Sequence, residues 1–185
     1  ELSRDEHCEL KIFCDQNKIL YFCTPWDEGS LEFLTDMDVQ LFKIASADFT
    51  NIEFIKKVCK TGKSIILSTG MTTEVEINTV TEILKNNAKE FALLHCNSSY
   101  PAAFDDINLN YMNKLMERHN IVGYSGHERG ISVSIAAVAL GAKIIERHFT
   151  FDRSMEGPDH LASLEPEEFK KMVEGIREVE KALGN

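Results

Sequence analysis

Long apolar runs are missing from this sequence. Its most apolar stretch, 131–145, is broken by Ser132, Ser134, Gly141 and Lys143. That falls short of the roughly 20 residues a membrane-spanning helix needs. Basic residues are also scarce: Lys plus Arg total 20 against 30 for Asp plus Glu, a formal charge of -10. No nucleic-acid or membrane partner is expected on that balance, although a local anion site remains open. The five cysteines, Cys8, Cys14, Cys23, Cys59 and Cys96, are odd in number and contain no Cys-x-x-Cys pair. They are read as reduced, with neither a disulfide framework nor a zinc knuckle. The opening residues have neither the basic end nor the apolar stretch of a signal peptide, so the cytoplasm is the expected compartment. No Gly-x-Gly-x-x-Gly follows any candidate strand, which removes the usual dinucleotide signature. With only four prolines and no linker or low-complexity tract in 185 residues, the chain reads as one continuous globular layer.

What is present is a repeat of short apolar runs, each followed by an amphipathic segment, the pattern of βα units on a parallel sheet. Six strands are predicted: 19–23, 41–45, 64–67, 91–95, 121–124 and 143–147. Thr73 and Glu76 form a capping box ahead of Ile77, Val80 and Leu84. Pro166 suits the first position of a helix whose apolar face carries Phe169, Val173, Ile176, Val179 and Leu183. Gly62 and Gly141 fall where helices should stop. Polar residues follow the end of every predicted strand: Thr24, Ser46, Ser68, Asn97, Ser125 and His148 among them. A barrel gathers such residues at one rim, whereas an open sheet concentrates them at one switch point. The chain also opens on a helix-like segment, 8–16. The expected fold is therefore an α/β (β/α)8 TIM barrel truncated to six βα units, its first two units absent, since a full barrel takes about 250 residues.

Several residues at that rim suggest chemistry. His127 and His148 lie just past consecutive strands, where two imidazoles could share a divalent ion acting as a Lewis acid, or stand as independent polar residues. His95 reads better as a core histidine bonded to backbone, and His7, His119 and His160 give no signal. Lys43 interrupts the apolar run Leu41-Phe42-Lys43-Ile44-Ala45. An interior ammonium needs a counter-charge, supplied by a substrate phosphate or carboxylate, or by a barrel glutamate such as Glu146. Alternatively Lys43 is a Schiff-base nucleophile. Ser68-Thr69-Gly70 offers hydroxyls and backbone N–H groups to an anion, or simply caps a helix.

The strings Phe42-Lys43-Ile44-Ala45-Ser46, Ile66-Leu67-Ser68-Thr69-Gly70-Met71, His95-Cys96 to Tyr100-Pro101, Gly123-Tyr124-Ser125-Gly126-His127-Glu128, Glu146-Arg147-His148-Phe149 and Gly157-Pro158-Asp159-His160 occur in this order. Together they resemble the sialic acid synthase family, N-acetylneuraminate synthase and its legionaminic, pseudaminic and spore-coat relatives. The resemblance implies a phosphoenolpyruvate-dependent synthase with a (β/α)8 barrel, a small antifreeze-like domain and a homodimer in the full-length protein. It implies that His127 and His148 hold a divalent metal, manganese above magnesium or cobalt. Thr24, Lys43, Ser46, Ser68 and Ser125 match positions that cradle phosphoenolpyruvate, and Ser98 stands where some members use an Asn. Tyr100 and Asp159 match residues that contact the amino-sugar, an N-acetylmannosamine-type substrate or its 6-phosphate. Asp48 falls where many members place a glutamate near the reacting carbons, which gives it a catalytic role. Gly126 replaces the Asp of the commoner Ser-Asp-His string, as in the vertebrate type.

On this resemblance, residues 1–185 form a partial barrel domain, the C-terminal antifreeze-like domain is absent, and the piece alone should be inactive. The first two units of the family supply a sugar-contacting glutamate and a further phosphoenolpyruvate-binding lysine, which have no counterpart here. The rival expectations are a Schiff-base aldolase or lyase built on Lys43 and a non-catalytic barrel that binds a sugar or phosphate.

Overall fold

The computed structural model describes residues 2–184. In chain order its main elements are α1 (Arg4–Gln16), α2 (Glu28–Asp36), β1 (Leu41–Ile44), α3 (Ile52–Lys60), β2 (Ser64–Ser68), α4 (Glu74–Asn87), β3 (Phe91–Cys96), α5 (Tyr111–Met116), β4 (Val122–Gly126), α6 (Ser132–Ala139), β5 (Ile145–Arg147) and α7 (Pro166–Leu183). The strands are parallel and lie side by side in sequence order, β1-β2-β3-β4-β5. A doubly wound sheet reverses that order at a switch point. Here nothing reverses, and the sheet curls as an arc of a barrel, a half-barrel of five strands.

Period-two alternation divides each strand between two environments. Phe42, Ile44, Ile65, Leu67, Phe91, Leu93 and Val122 meet Ile55, Val58, Ile77, Val80 and Leu84 of the helices in the main core. The alternate residues face the concave side. There Ile66, Ala92 and Leu94 pack with Leu41 and Ile144 as an apolar layer. Above that layer, toward the strand ends, the same face carries Lys43, Ser68, Cys96, Ser125 and Glu146. The register enforces this stacking, with Cys96 paired to Ser125 and Ser125 to Glu146.

The local signals act where expected. Thr73 and Glu76 form the reciprocal cap of α4, and Pro166 is the first residue of α7. Gly62 and Gly141 have φ of +70° and +104°, a region that side-chain-bearing residues avoid. The helix expected over 8–16 begins earlier, at Arg4, behind a cap made by Ser3 and Glu6.

The first expected strand is a correction. Residues 19–22 are not in a strand, and only an isolated parallel bridge joins Cys23 to Phe42. Ile19 and Leu20 are exposed. A segment at the open edge of a sheet has hydrogen-bonding partners on one side only, which is too little to hold a regular strand. Among the described residues there are thus five strands, with only the Cys23–Phe42 bridge at the place of the first of the six expected.

Candidate functional site

The polar layer of the concave face opens into a cavity of about 530 Å³ at the C-terminal ends of the strands. Lys43 is its buried cation. Its ammonium donates to Ser68 Oγ at 2.8 Å and to the Ile44 carbonyl at 3.2 Å, and lies 3.5 Å from Glu146 Oε1. Burial pushes the Lys43 pKa down, and the Glu146 carboxylate opposes that shift. Glu146 also accepts a hydrogen bond from Ser125 Oγ at 2.7 Å. Lys43, Ser68, Ser125 and Glu146 therefore form one connected floor across four of the strands.

Beside that floor, Ser46 Oγ accepts the Gly70 N–H at 3.0 Å. A Cβ on Gly70 would lie 2.7 Å from Ser46 Oγ and would run into Ser98 Oγ. Only a glycine lets these two hydroxyls approach the backbone there. Ser98 Oγ is buried without a hydrogen-bond partner, an unsatisfied group of the kind a ligand satisfies. The Ser68-Thr69-Gly70 stretch is less free than its composition suggests, since Thr69 Oγ1 donates to the Leu94 carbonyl at 3.0 Å. Ser68 is likewise occupied by Lys43.

His127 and His148 come together at the rim, their ring centroids 5.1 Å apart, with Tyr100 against both at 4.1 and 5.5 Å. Burial pushes the pKa of both imidazoles down, which favours the neutral ring. His127 Nδ1 lies 2.6 Å from the Asn97 carbonyl. A carbonyl only accepts, so Nδ1 carries the proton and Nε2 keeps its lone pair. His148 Nδ1 is 3.7 Å from Asp159 Oδ2, too far for a hydrogen bond. Among the described residues no group of three or more His, Cys, Asp and Glu is arranged to hold a metal. Two neutral imidazoles still fit a divalent ion whose remaining ligands are water or substrate oxygens. Burial chiefly, with help from nearby acidic groups, pushes the Tyr100 phenol up to about 12.

Thr24, Lys43, Ser46, Ser68, Ser98, Tyr100, Ser125, His127, His148 and Asp159 all line this one cavity. Asp48 does not. It ends the short 3-10 turn Ser46–Asp48 and accepts from Asn51 Nδ2 at 3.3 Å. With about three residues per turn, a step of two from Ser46 carries its side chain well off the Ser46 direction. His95 has the structural role expected of it, with Nε2–H donating to the Ile107 carbonyl at 2.6 Å.

Trp26, Met71 and Cys96 line the cavity without having been singled out from the sequence. Trp26 and Met71 are 63% and 72% exposed, and Met71 has a φ of +58°. Isolated large apolar residues in loops carry no periodicity, so no pattern pointed to them. Cys96 follows from strand alternation, and burial pushes its thiol up, away from nucleophilic use. A larger hollow of about 940 Å³ adjoins the cavity and shares Met71, Cys96 and Ser98 with it. Its lysine, Lys114, is already paired with Glu74 at 3.1 Å, so the charged groups that could work on a ligand concentrate in the smaller cavity.

A family model described as the NeuB family matches residues 1–185. An uncharacterised protein of Methanocaldococcus jannaschii is 49% identical over 187 residues, covering 100% of this chain and 56% of that protein. The N,N'-diacetyllegionaminic acid synthase of Campylobacter jejuni is 46% identical over 189 residues, covering 100% of this chain and 57% of that protein. The crystal structure of N-acetylneuraminic acid (sialic acid) synthetase from Leptospira borgpetersenii serovar Hardjo-bovis, in complex with citrate, is 38% identical. It superposes with a TM-score of 0.95 over 100% of this chain and 65% of that one. The chain spans a little over half the length of the curated relatives it matches.

Proposed function

The chain belongs to the NeuB family, and on that premise we propose that the complete protein condenses phosphoenolpyruvate with an N-acetylmannosamine-type amino-sugar to give a nonulosonic acid and phosphate. The single observation that supports this reading best is the cavity itself, where a buried Lys43, an orphaned Ser98 hydroxyl and two neutral rim imidazoles face one space.

In the proposed reaction the methylene carbon of phosphoenolpyruvate forms a bond to the aldehyde carbon of the open-chain sugar. Water then adds to the resulting oxocarbenium carbon, and phosphate leaves by carbon–oxygen cleavage. Lys43 answers the negative charge of phosphoenolpyruvate, while Ser46, Ser68, Ser98 and Thr24 offer hydroxyls around it. Ser125 holds Glu146 in place beside Lys43. Tyr100 and Asp159, at the rim with His148, orient the sugar. Asp48, which the resemblance places near the reacting carbons, is not among the residues that line the cavity.

The charges in the cavity favour a cation at the rim. One lysine faces two carboxylates, Glu146 and Asp159, and burial favours the neutral form of both histidines. An anionic substrate therefore gains from a further positive charge, and His127 and His148 are the donors for it. A divalent ion held there, manganese by preference, supplies a Lewis acid for the sugar aldehyde.

The test is phosphate release from phosphoenolpyruvate by the complete protein, against a panel of N-acetylated hexoses and their 6-phosphates. Sugar-dependent release is expected, with loss on chelation and in His127→Ala and His148→Ala. Full activity after chelation and in both variants would overturn the metal role, and no release with any sugar would overturn the synthase reading. One observation favours a second reading: burial lowers the Lys43 pKa, as a Schiff-base lysine requires. Borohydride trapping of a carbonyl substrate on Lys43 without metal dependence would select it.

A further inference from the structure

We propose that the buried Glu128–Arg147 ion pair is the positioning device that fixes the mutual placement of His127 and His148. This inference rests on the reading of those histidines as the donors for a divalent ion. Each member of the pair is the chain neighbour of one histidine. Neighbouring side chains in extended backbone point to opposite sides. Arg147 closes β5 and so points away from its neighbour His148, and Glu128, in the bend just past β4, is turned to meet Arg147. His127 and His148 line the cavity, while Glu128 and Arg147 are absent from its lining, both side chains at 0% exposure.

Behind the rim the contacts are dense and directional. Arg147 Nη1 donates to Glu128 Oε1 at 3.0 Å, to the Gly130 carbonyl at 2.7 Å and to Ser134 Oγ at 3.1 Å. Arg147 Nη2 donates to the Glu128 carbonyl at 2.5 Å and to the Ala162 carbonyl at 3.4 Å. Tyr124 Oη donates to Glu128 Oε2 at 2.6 Å. One guanidinium thus ties together the segment after His127, the first turn of α6, the end of β5 before His148, and the turn that follows Asp159. Gly126 closes the space between them, since a Cβ there would lie 2.7 Å from both Glu128 Oε2 and Tyr124 Cε1.

Stability alone is a poor account of this arrangement. A fully buried ion pair is often no more stabilising than apolar residues of the same volume, because desolvation offsets the attraction. What the planar guanidinium fork supplies in addition is fixed geometry. Here that geometry is spent on the two backbone segments that present the imidazoles.

The experiment measures Mn2+ binding to the complete protein by calorimetry, together with kcat, KM for phosphoenolpyruvate and thermal unfolding. Glu128→Gln keeps the shape and removes the charge, while Tyr124→Phe removes only the hydroxyl that holds Glu128. In Glu128→Gln the Mn2+ affinity should fall about ten- to hundredfold, the range for groups that orient a metal ligand. Saturating Mn2+ should restore kcat, and KM for phosphoenolpyruvate should stay near the wild-type value, which a general structural defect would not allow. Tyr124→Phe should shift affinity in the same direction by less, and it decides the matter if Glu128→Gln does not fold. Wild-type affinity in a folded variant would overturn the pair's role while leaving the metal reading intact. Absence of Mn2+ binding by the wild-type protein would overturn both.

Discussion

His95 shows how burial sets the behaviour of a single residue. Enclosure pushes its imidazole pKa below the usual value, with the hydrogen bond to the Ile107 carbonyl opposing the shift. The fold therefore favours the neutral ring, and the unfolded chain takes up the proton first as acid is added. The contribution to stability is fully present above the ordinary imidazole value of about 6.5 and is lost as pH falls from there through the lowered folded value. His127 and His148 act in the same sense. The urea midpoint should drop between about pH 7.5 and about pH 5.5, and His95→Gln should remove part of that slope. A midpoint with identical pH dependence in the variant would show that His95 does not titrate in this way.

Among the elements, α4 has the clearest sequence instruction. Thr73 Oγ1 accepts the Glu76 N–H at 3.3 Å, and the Glu76 carboxylate accepts the Thr73 N–H at 2.7 Å. The Thr73 N–H and the Thr73 hydroxyl, which also donates to that carboxylate at 2.8 Å, hold the Glu76 carboxyl below the usual carboxylate range. Thr73→Ala should cost about 1 kcal/mol, read from the urea midpoint with an unchanged m-value; a loss under a few tenths would mean that α4 is held by its core face alone. The strands are less self-sufficient than the helices. Cys23 forms a bridge and not a strand because its edge has one neighbour, and β5 extends over only Ile145–Arg147.

The whole molecule is defined by a sheet that curls without closing. Large apolar residues lie exposed at both flanks of the arc, Phe13 and Ile19 near one end and Phe151, at 82% exposure, near the other. Such surfaces, together with a sheet edge of unpaired backbone groups, promote association. The 185-residue chain by itself should therefore form larger species as its concentration rises, detectable by sedimentation velocity. A monodisperse monomer across the concentration range would contradict this. At this scale the charge of -10 says little about ligands, because Lys43 and the rim imidazoles act inside a cavity that the outer surface does not represent. The sequence alone determined the alternation of strands and helices, the caps of α4 and α7, and the run of polar residues past the strand ends, because each depends on residues a few positions apart. Family resemblance added Ser98, Tyr100 and Asp159, which line the cavity, and Asp48, which is not among its lining residues. Only the tertiary structure decided that Ser125, Glu146 and Lys43 share one floor, that Asp48 is not among the residues lining the cavity, and that Glu128 meets Arg147 behind the two histidines. Those outcomes depend on strand register and on which face of the sheet becomes concave, and both are set by contacts between segments far apart in the chain.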